Sequence, residues 1–207
     1  GGASGGVSTD KRRVHCPPVE LPSSNCKTFF EEAKIGQAEE AELWRKFGKY
    51  CTRVIDTPGG EDTAYLTIDS FCRLLQYYDV AHSQHFEAYF YAMDRDGDDR
   101  LSFQEFFLGC CAADPQTVHI LNSYTGKERS QFIFAFYDTN RSKALDFQEF
   151  SRLIGDCQMA PNASPGSEKE LMTEAVEIAR ELGALNQGGP GGLCALIEFE
   201  QFYQFVQ

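Results

Sequence analysis

The sequence predicts an all-α chain built from four helix–loop–helix units. Three observations carry this expectation. Apolar residues recur at helical spacing in stretches separated by polar loops. From about residue 38 to the end, the order helix, polar loop, short β-prone run, helix returns four times. Each loop carries an aliphatic residue at its eighth position, followed two places later by an aromatic residue or Ile: Leu66 and Ile68, Leu101 and Phe103, Leu145 and Phe147, Ile197 and Phe199.

The helices before these loops are written as apolar stripes: Trp44, Phe47 and Cys51; then Phe86, Tyr89, Phe90 and Met93; then Ile133, Phe134 and Tyr137; then Leu171, Ala175, Val176 and Ala179. A stripe such as Phe106, Phe107 and Cys110 follows the second loop. Residues spaced three and four apart share one face of a helix, so these positions read first as core. Residues 1–24 show no such period, are rich in Gly, Ser and Pro, and carry the basic run Lys11-Arg12-Arg13. They read as a flexible tail or linker, or as the remnant of a longer protein, since the first residue is not Met.

Composition narrows the class. With 207 residues, 42% hydrophobic and 13% aromatic, 17 of them Phe, the chain has enough apolar material for a core, which excludes disorder throughout. The longest nearly unbroken apolar runs, 106–113 and 132–137, fall far short of the ~18 residues that cross a bilayer, and no signal peptide is visible. The 31 acidic residues against 19 basic give a net charge of −12, which disfavours nucleic acid and suits cations. Eight cysteines contain no CxxC pair, and several, Cys72 and Cys110 among them, sit at apolar helical positions. The expectation is free thiols in a reducing, cytoplasmic setting, with the sequon Asn162-Ala163-Ser164 a chance match.

Chemistry is concentrated in two of the four loops. The segment 94–105 places oxygen-bearing side chains at positions 1, 3, 5, 9 and 12: Asp94, Asp96, Asp98, Ser102 and Glu105, with the Arg100 carbonyl at position 7. The segment 138–149 repeats the arrangement with Asp138, Asn140, Ser142, Asp146 and Glu149, and the Ala144 carbonyl at position 7. A hard divalent cation takes six to eight oxygens at ~2.3–2.6 Å, so alternate short side chains must curl round it while a longer Glu closes from the next helix. These are the ligand positions of an EF-hand loop, and two Ca2+ sites are expected. At position 6, where a positive φ favours Gly, the loops carry Asp99 and Lys143. Lys143 also brings positive charge, and the second loop has three acidic ligands against four. Binding at 94–105 is therefore expected to be the tighter, with both loops in the ~10⁻⁷ to 10⁻⁵ M range.

The other two loops keep the hydrophobic frame without the ligands. The first, 59–70, has Gly59 and Ser70 at its decisive ends, beside an insert with Pro58 and Gly60, although Asp56, Glu61 and Asp62 lie near. The fourth, 190–201, has Pro190, Gly192, Cys194 and Gln201 where oxygens or Glu are needed, and is expected to bind nothing.

From residue 38 onward the chain resembles the four-EF-hand calcium sensors, most closely the neuronal calcium sensor (recoverin-like) group, with calcineurin B a looser relative. Phe134-Ala135-Phe136-Tyr137-Asp138 and the loop separations of 35, 44 and 52 residues carry the resemblance. It implies two EF-hand pairs, an N-terminal lobe 25–112 and a C-terminal lobe 113–207, each with one binding and one degenerate loop. It also implies short antiparallel β contacts between paired loops, at Leu66 with Leu101 and at Leu145 with Ile197. The chain departs from the group at its start, with Gly5 where a myristoylation signal needs Ser or Thr, so membrane association is not expected.

The function expected is a calcium sensor that exposes an apolar groove to an amphipathic helix of a target protein, or of the parent polypeptide of a larger signalling enzyme. Groove candidates are Trp44, Phe47, Phe71, Leu75, Phe86, Phe90, Phe106 and Phe107, each of which also reads as core. With three Met residues, few partners are expected. The alternative is a calcium buffer or a calcium-stabilised structural module. Catalysis is not expected: Cys111 or Cys157 with His119, or His82 with His85, lacks a flanking nucleophile signature.

Overall fold

A computed structural model of the chain describes residues 31–54, 63–80, 85–158, 168–186 and 194–207. The tail, the sequon, the starts of the first and fourth loops with their insert residues, and His82 lie outside the described residues. The described chain is mostly helical, with small antiparallel strand pairs. In order, the elements are α1 (Gln37–Tyr50), β1 (Thr52–Val54), β2 (Thr63–Leu66), α2 (Ile68–Tyr77), α3 (Phe86–Met93), β3 (Leu101–Ser102) and α4 (Phe103–Ala113). The second half comprises α5 (Tyr124–Tyr137), β4 (Ala144–Asp146), α6 (Phe147–Gln158), α7 (Glu168–Glu181), β5 (Leu185–Asn186), β6 (Cys194–Glu198) and α8 (Phe199–Val206).

The repeated aliphatic–aromatic pairs mark the same joint each time. Ile68, Phe103, Phe147 and Phe199 are the first residues of α2, α4, α6 and α8, and the aliphatic partners two residues earlier are strand residues. Leu66 stands opposite Leu101, and Leu145 opposite Ile197. All four are fully buried, so each stabilises its contact by roughly 1.5–3 kcal/mol. At α2 and α4 the residue just before the helix caps it: Thr67 Oγ1 accepts from Ser70 N–H, and Ser102 Oγ accepts from Glu105 N–H.

Each sheet is wider than the sequence suggested. β1 pairs with β2, with Thr52 opposite Tyr65, and β5 pairs with β6, with Leu185 opposite Ala195. These strands lie just beyond α1 and α7, where chain leaving a helix still needs partners for its backbone N–H and C=O groups.

Two clusters form the core. The first gathers Phe47, Leu66, Phe71, Phe90, Leu101, Phe106 and Phe107; the second gathers Phe134, Leu145, Phe150, Ala175, Ala179, Ile197 and Phe202. Helix α5 serves both, because Phe132 belongs to the first and Phe134 to the second. Its outer turn packs on α3, where the Tyr89 ring lies 5.2 Å from that of Phe136 and stacks at 6.4 Å on Phe132. Because α3 leads into the loop 94–105 and α5 into the loop 138–149, this contact sets the two loops near each other.

Candidate metal-binding site

The loop 94–105 is closed by its own side chains. Asp94, at the end of α3, is buried, and its carboxylate accepts the N–H groups of Gly97 (2.9 Å) and Asp99 (3.1 Å). Asp96 accepts from Asp98 N–H at 3.1 Å, and Asp98 from Arg100 N–H at 2.9 Å. Glu105, in the first turn of α4, reaches back across the loop: one carboxylate oxygen accepts from Arg95 N–H at 3.1 Å, the other from Ser102 N–H and Oγ–H at 2.9 and 2.7 Å.

The loop 138–149 repeats this design. Asp138, also buried, accepts from Ser142 and Lys143 N–H at 2.9 and 2.8 Å, and Asn140 Oδ1 accepts the same Ser142 N–H at 2.9 Å. Glu149 accepts from Thr139 N–H at 2.9 Å on one oxygen and from Asp146 N–H at 3.1 Å on the other. Asp146 Oδ1 in turn caps α6 by accepting Glu149 N–H at 2.9 Å. Ser142 Oγ–H donates to the Ala144 carbonyl at 2.8 Å.

In both loops, then, position 12 binds the N–H of positions 2 and 9, and position 1 binds the N–H of position 6. Backbone dihedrals match as well. Position 6 is left-handed in each, Asp99 at φ 60° and Lys143 at φ 66°, as the requirement for a sharp turn implied. Position 4 is left-handed too, Gly97 at φ 74° and Arg141 at φ 55°. The second requirement escaped sequence reasoning; Gly97 hinted at it, whereas nothing local marks Arg141.

The donor set fits a divalent cation. Asp94, Asp96 and Asp98 each bring a carboxylate oxygen within 4.8 Å of the others. Oxygens bonded to one ion at ~2.3–2.6 Å stand no farther apart than about 5 Å, so the three can share one. Burial holds the Asp94 carboxyl above its ordinary range; the N–H groups of Gly97 and Asp99 oppose this, and the carboxylates of Glu105 and Asp96 add to it. Crowded, partly desolvated carboxylates of this kind gain most from a positive charge set among them. Glu105 and Arg100 border the same loop, Glu105 half-buried and Arg100 exposed just before β3.

The loops 59–70 and 190–201 end on a comparable side-chain-to-backbone bond. Ser70 and Gln201 occupy position 12, and their side-chain oxygens accept from Thr67 N–H (2.9 Å) and Glu198 N–H (3.0 Å).

A cleft of about 1000 Å³ opens between the two cores, lined by Phe71, Leu75, Met93, Phe132, Phe136 and Leu153 among others. Of the eight groove candidates Phe71 and Leu75 line it, while Phe47, Phe86, Phe90, Phe106 and Phe107 are buried in the core and Trp44 packs against it. Phe132, Phe136 and Leu153 were not among the groove candidates because α5 and α6 reach the cleft only through tertiary packing.

Of the residues considered for catalysis, His119 lies beside the backbone of Cys111, and His82 is outside the described residues. Desolvation pushes the Cys111 thiol up and the His119 imidazole down, and His119 Nδ1 lies 3.1 Å from the Thr125 carbonyl. Cys157 is exposed, and its thiol is raised by partial burial and by Asp156. The thiols of Cys51, Cys72, Cys110, Cys111 and Cys157 are free. Among the described residues, no helix is long and apolar enough to cross a membrane. Neither the models of known protein families nor the curated protein sequences include a match to this chain.

Proposed function

We propose that this chain is a calcium sensor of four EF-hand units in two pairs, binding ions in the loops 94–105 and 138–149 and acting through an apolar groove on a partner. The observation that carries the reading is that these two loops share their closing bonds, position 12 with the N–H of positions 2 and 9 and position 1 with the N–H of position 6, around five oxygen-bearing side chains in each. Support for the pairing comes from the strand contacts of Leu66 with Leu101 and Leu145 with Ile197. The resemblance to the neuronal calcium sensor group agrees with both.

A bound calcium ion would supply a divalent charge to be shared by six to eight oxygens. Asp94, Asp96, Asp98, Ser102, Glu105 and the Arg100 carbonyl would hold one; Asp138, Asn140, Ser142, Asp146, Glu149 and the Ala144 carbonyl the other. Glu105 and Glu149 are the movable members. To turn inward, Glu105 gives up the N–H of Arg95, and because it stands in the first turn of α4 that helix moves with it. Helix α4 carries Cys110 and Ala112 to the cleft wall, so a shift of α4 reshapes the cleft. An amphipathic helix, from a target or from a parent signalling enzyme, is the occupant this reading favours, in a cytoplasmic setting and without catalysis by the chain itself.

Fluorescence of a hydrophobic dye, read with calcium and with chelator, tests the reading. A sensor brightens the dye on calcium addition; unchanged emission alongside calorimetric binding of two ions points to a buffer or a structural module.

A further inference from the structure

Each ligand-bearing loop places an arginine on the other half of the molecule. Arg95, at position 2 of the first loop, forms an ion pair with Glu128 of α5, whose carboxylate is buried. Arg141, at position 4 of the second loop, donates through both terminal nitrogens to one carboxylate oxygen of Asp99 at 3.1 Å, and Asp99 is position 6 of the first loop. The same guanidinium lies 3.5 Å from the centre of the Tyr91 ring, on the helix that enters that loop.

The strand pairs cannot provide this connection. They join 94–105 to the first unit and 138–149 to the fourth, the two units without ligands. From these contacts we infer that Arg95 and Arg141 are positioning residues that couple the two loops, so that filling either one raises the affinity of the other. The inference rests on the calcium reading above.

The physical route is short. Arg95 gives its N–H to Glu105 and its guanidinium to Glu128, so the backbone that moves when Glu105 turns inward is tied to the helix leading into the second loop. In the other direction, Arg141 and Asp99 are both left-handed turn residues, and ordering the turn in one loop holds its partner's turn through the guanidinium. A loop already held loses less freedom on taking up an ion, which is positive coupling, and linkage makes the effect equal in both directions. Asp99 and Arg141 are exposed, so their pair contributes modestly, and the coupling is on the order of fivefold in affinity.

The test is calorimetric titration of the full chain with calcium, following the dissociation constant of the loop 94–105. Glu149→Gln removes the other site. With both arginines present, this change weakens the loop 94–105 by about three- to tenfold. In a chain that also carries Arg141→Gln, together with Arg95→Gln and Glu128→Gln so that no buried carboxylate is left alone, the same Glu149→Gln change shifts the affinity by less than about twofold. Arg141→Gln alone removes an exposed pair and gives an intermediate shift, which keeps the test open should the changes at buried Glu128 disturb folding. If Glu149→Gln has the same effect with and without the arginines, the packing of α3 on α5 carries the coupling and the inference fails. It fails equally if Glu149→Gln leaves the loop 94–105 unchanged in the parent chain. A parent chain that takes up no calcium overturns the calcium reading itself, and the coupling with it.

Discussion

The side-chain amide of Gln201 donates to the backbone carbonyl of Leu182 at 3.0 Å, while its Oε1 accepts from Glu198 N–H at the same distance. Gln201 is position 12 of the fourth loop, and Leu182 lies just past the end of α7. One side chain thus ties the helix entering this unit to the helix leaving it. Gln201→Ala should lower stability by about 1 kcal/mol, equally with calcium and with chelator, measured by urea unfolding. A loss that calcium reverses would refute the ion-independent tie.

The two ligand-bearing loops should differ in strength. The first has an acid more among its ligands and Gly at its left-handed position 4; the second holds two non-Gly residues, Arg141 and Lys143, in left-handed conformations. Glu149→Gln should leave the tighter site behind and Glu105→Gln the weaker. Calorimetry on the two variants reads the difference, and equal residual affinities would contradict it.

Backbone strain at Lys143 can be relieved. With φ at 66°, a residue bearing a Cβ costs on the order of 1 kcal/mol relative to Gly. Lys143→Gly should strengthen calcium binding at 138–149 several-fold and leave 94–105 within about twofold. Gly97→Ala, at φ 74°, should weaken the first loop by a similar factor, although its Cβ would meet open space. A titration in which Gly97→Ala matches the parent chain would show that the dihedral is not limiting.

Two helical glycines should respond unequally to a methyl group. At Gly126 an added Cβ would lie 2.3 Å from the carbonyl oxygen of Ile120, a backbone atom in the turn before α5. At Gly109 it would lie 2.2 Å from Met93 Cγ, part of a flexible side chain that can rotate away. Gly126→Ala should cost about 3 kcal/mol or more and Gly109→Ala about 1–2 kcal/mol, read from denaturant midpoints. The reverse order would mean that the turn at Ile120 yields more easily than Met93.

Stability should fall in alkali. Desolvation pushes the Cys110 thiol up to about 12 from an ordinary 9.0, and raises Cys111 beside it. A raised thiol binds its proton more tightly in the folded chain, so the stabilisation is complete below pH 9. It is lost as pH climbs from 9 toward 12, where the unfolded thiols ionise first. The decline for Cys110 is on the order of 1 kcal/mol per pH unit. Cys110→Ala should flatten that part of the profile, and an unchanged slope would assign the loss to other groups.

The loops 94–105 and 138–149 and the helix starts after them follow a local logic. Oxygens at alternate positions, a Glu at the twelfth and an aliphatic residue at the eighth are set by spacing along one short segment, and the hydrogen bonds within 94–105 and 138–149 follow that spacing. The Leu66–Leu101 and Leu145–Ile197 contacts were expected on the resemblance to paired EF-hand loops, and both strand pairs are present. Strands β1 and β5 were not expected, since three- and two-residue segments carry almost no periodic signal and form only where a neighbouring edge offers partners.

By itself the sequence determined where oxygen-bearing side chains fall at alternate places, in 94–105 and 138–149, and where they are missing, in 59–70 and 190–201, since both depend on residue type at fixed offsets. Tertiary structure alone decided that Arg141 would meet Asp99 and Tyr91, that Arg95 would reach Glu128, and that α5 and α6 would wall the cleft. Those pairings join residues as far as 50 positions apart through the packing of α3 on α5. Charge and shape at one point of a chain do not say which distant surface will be folded against it.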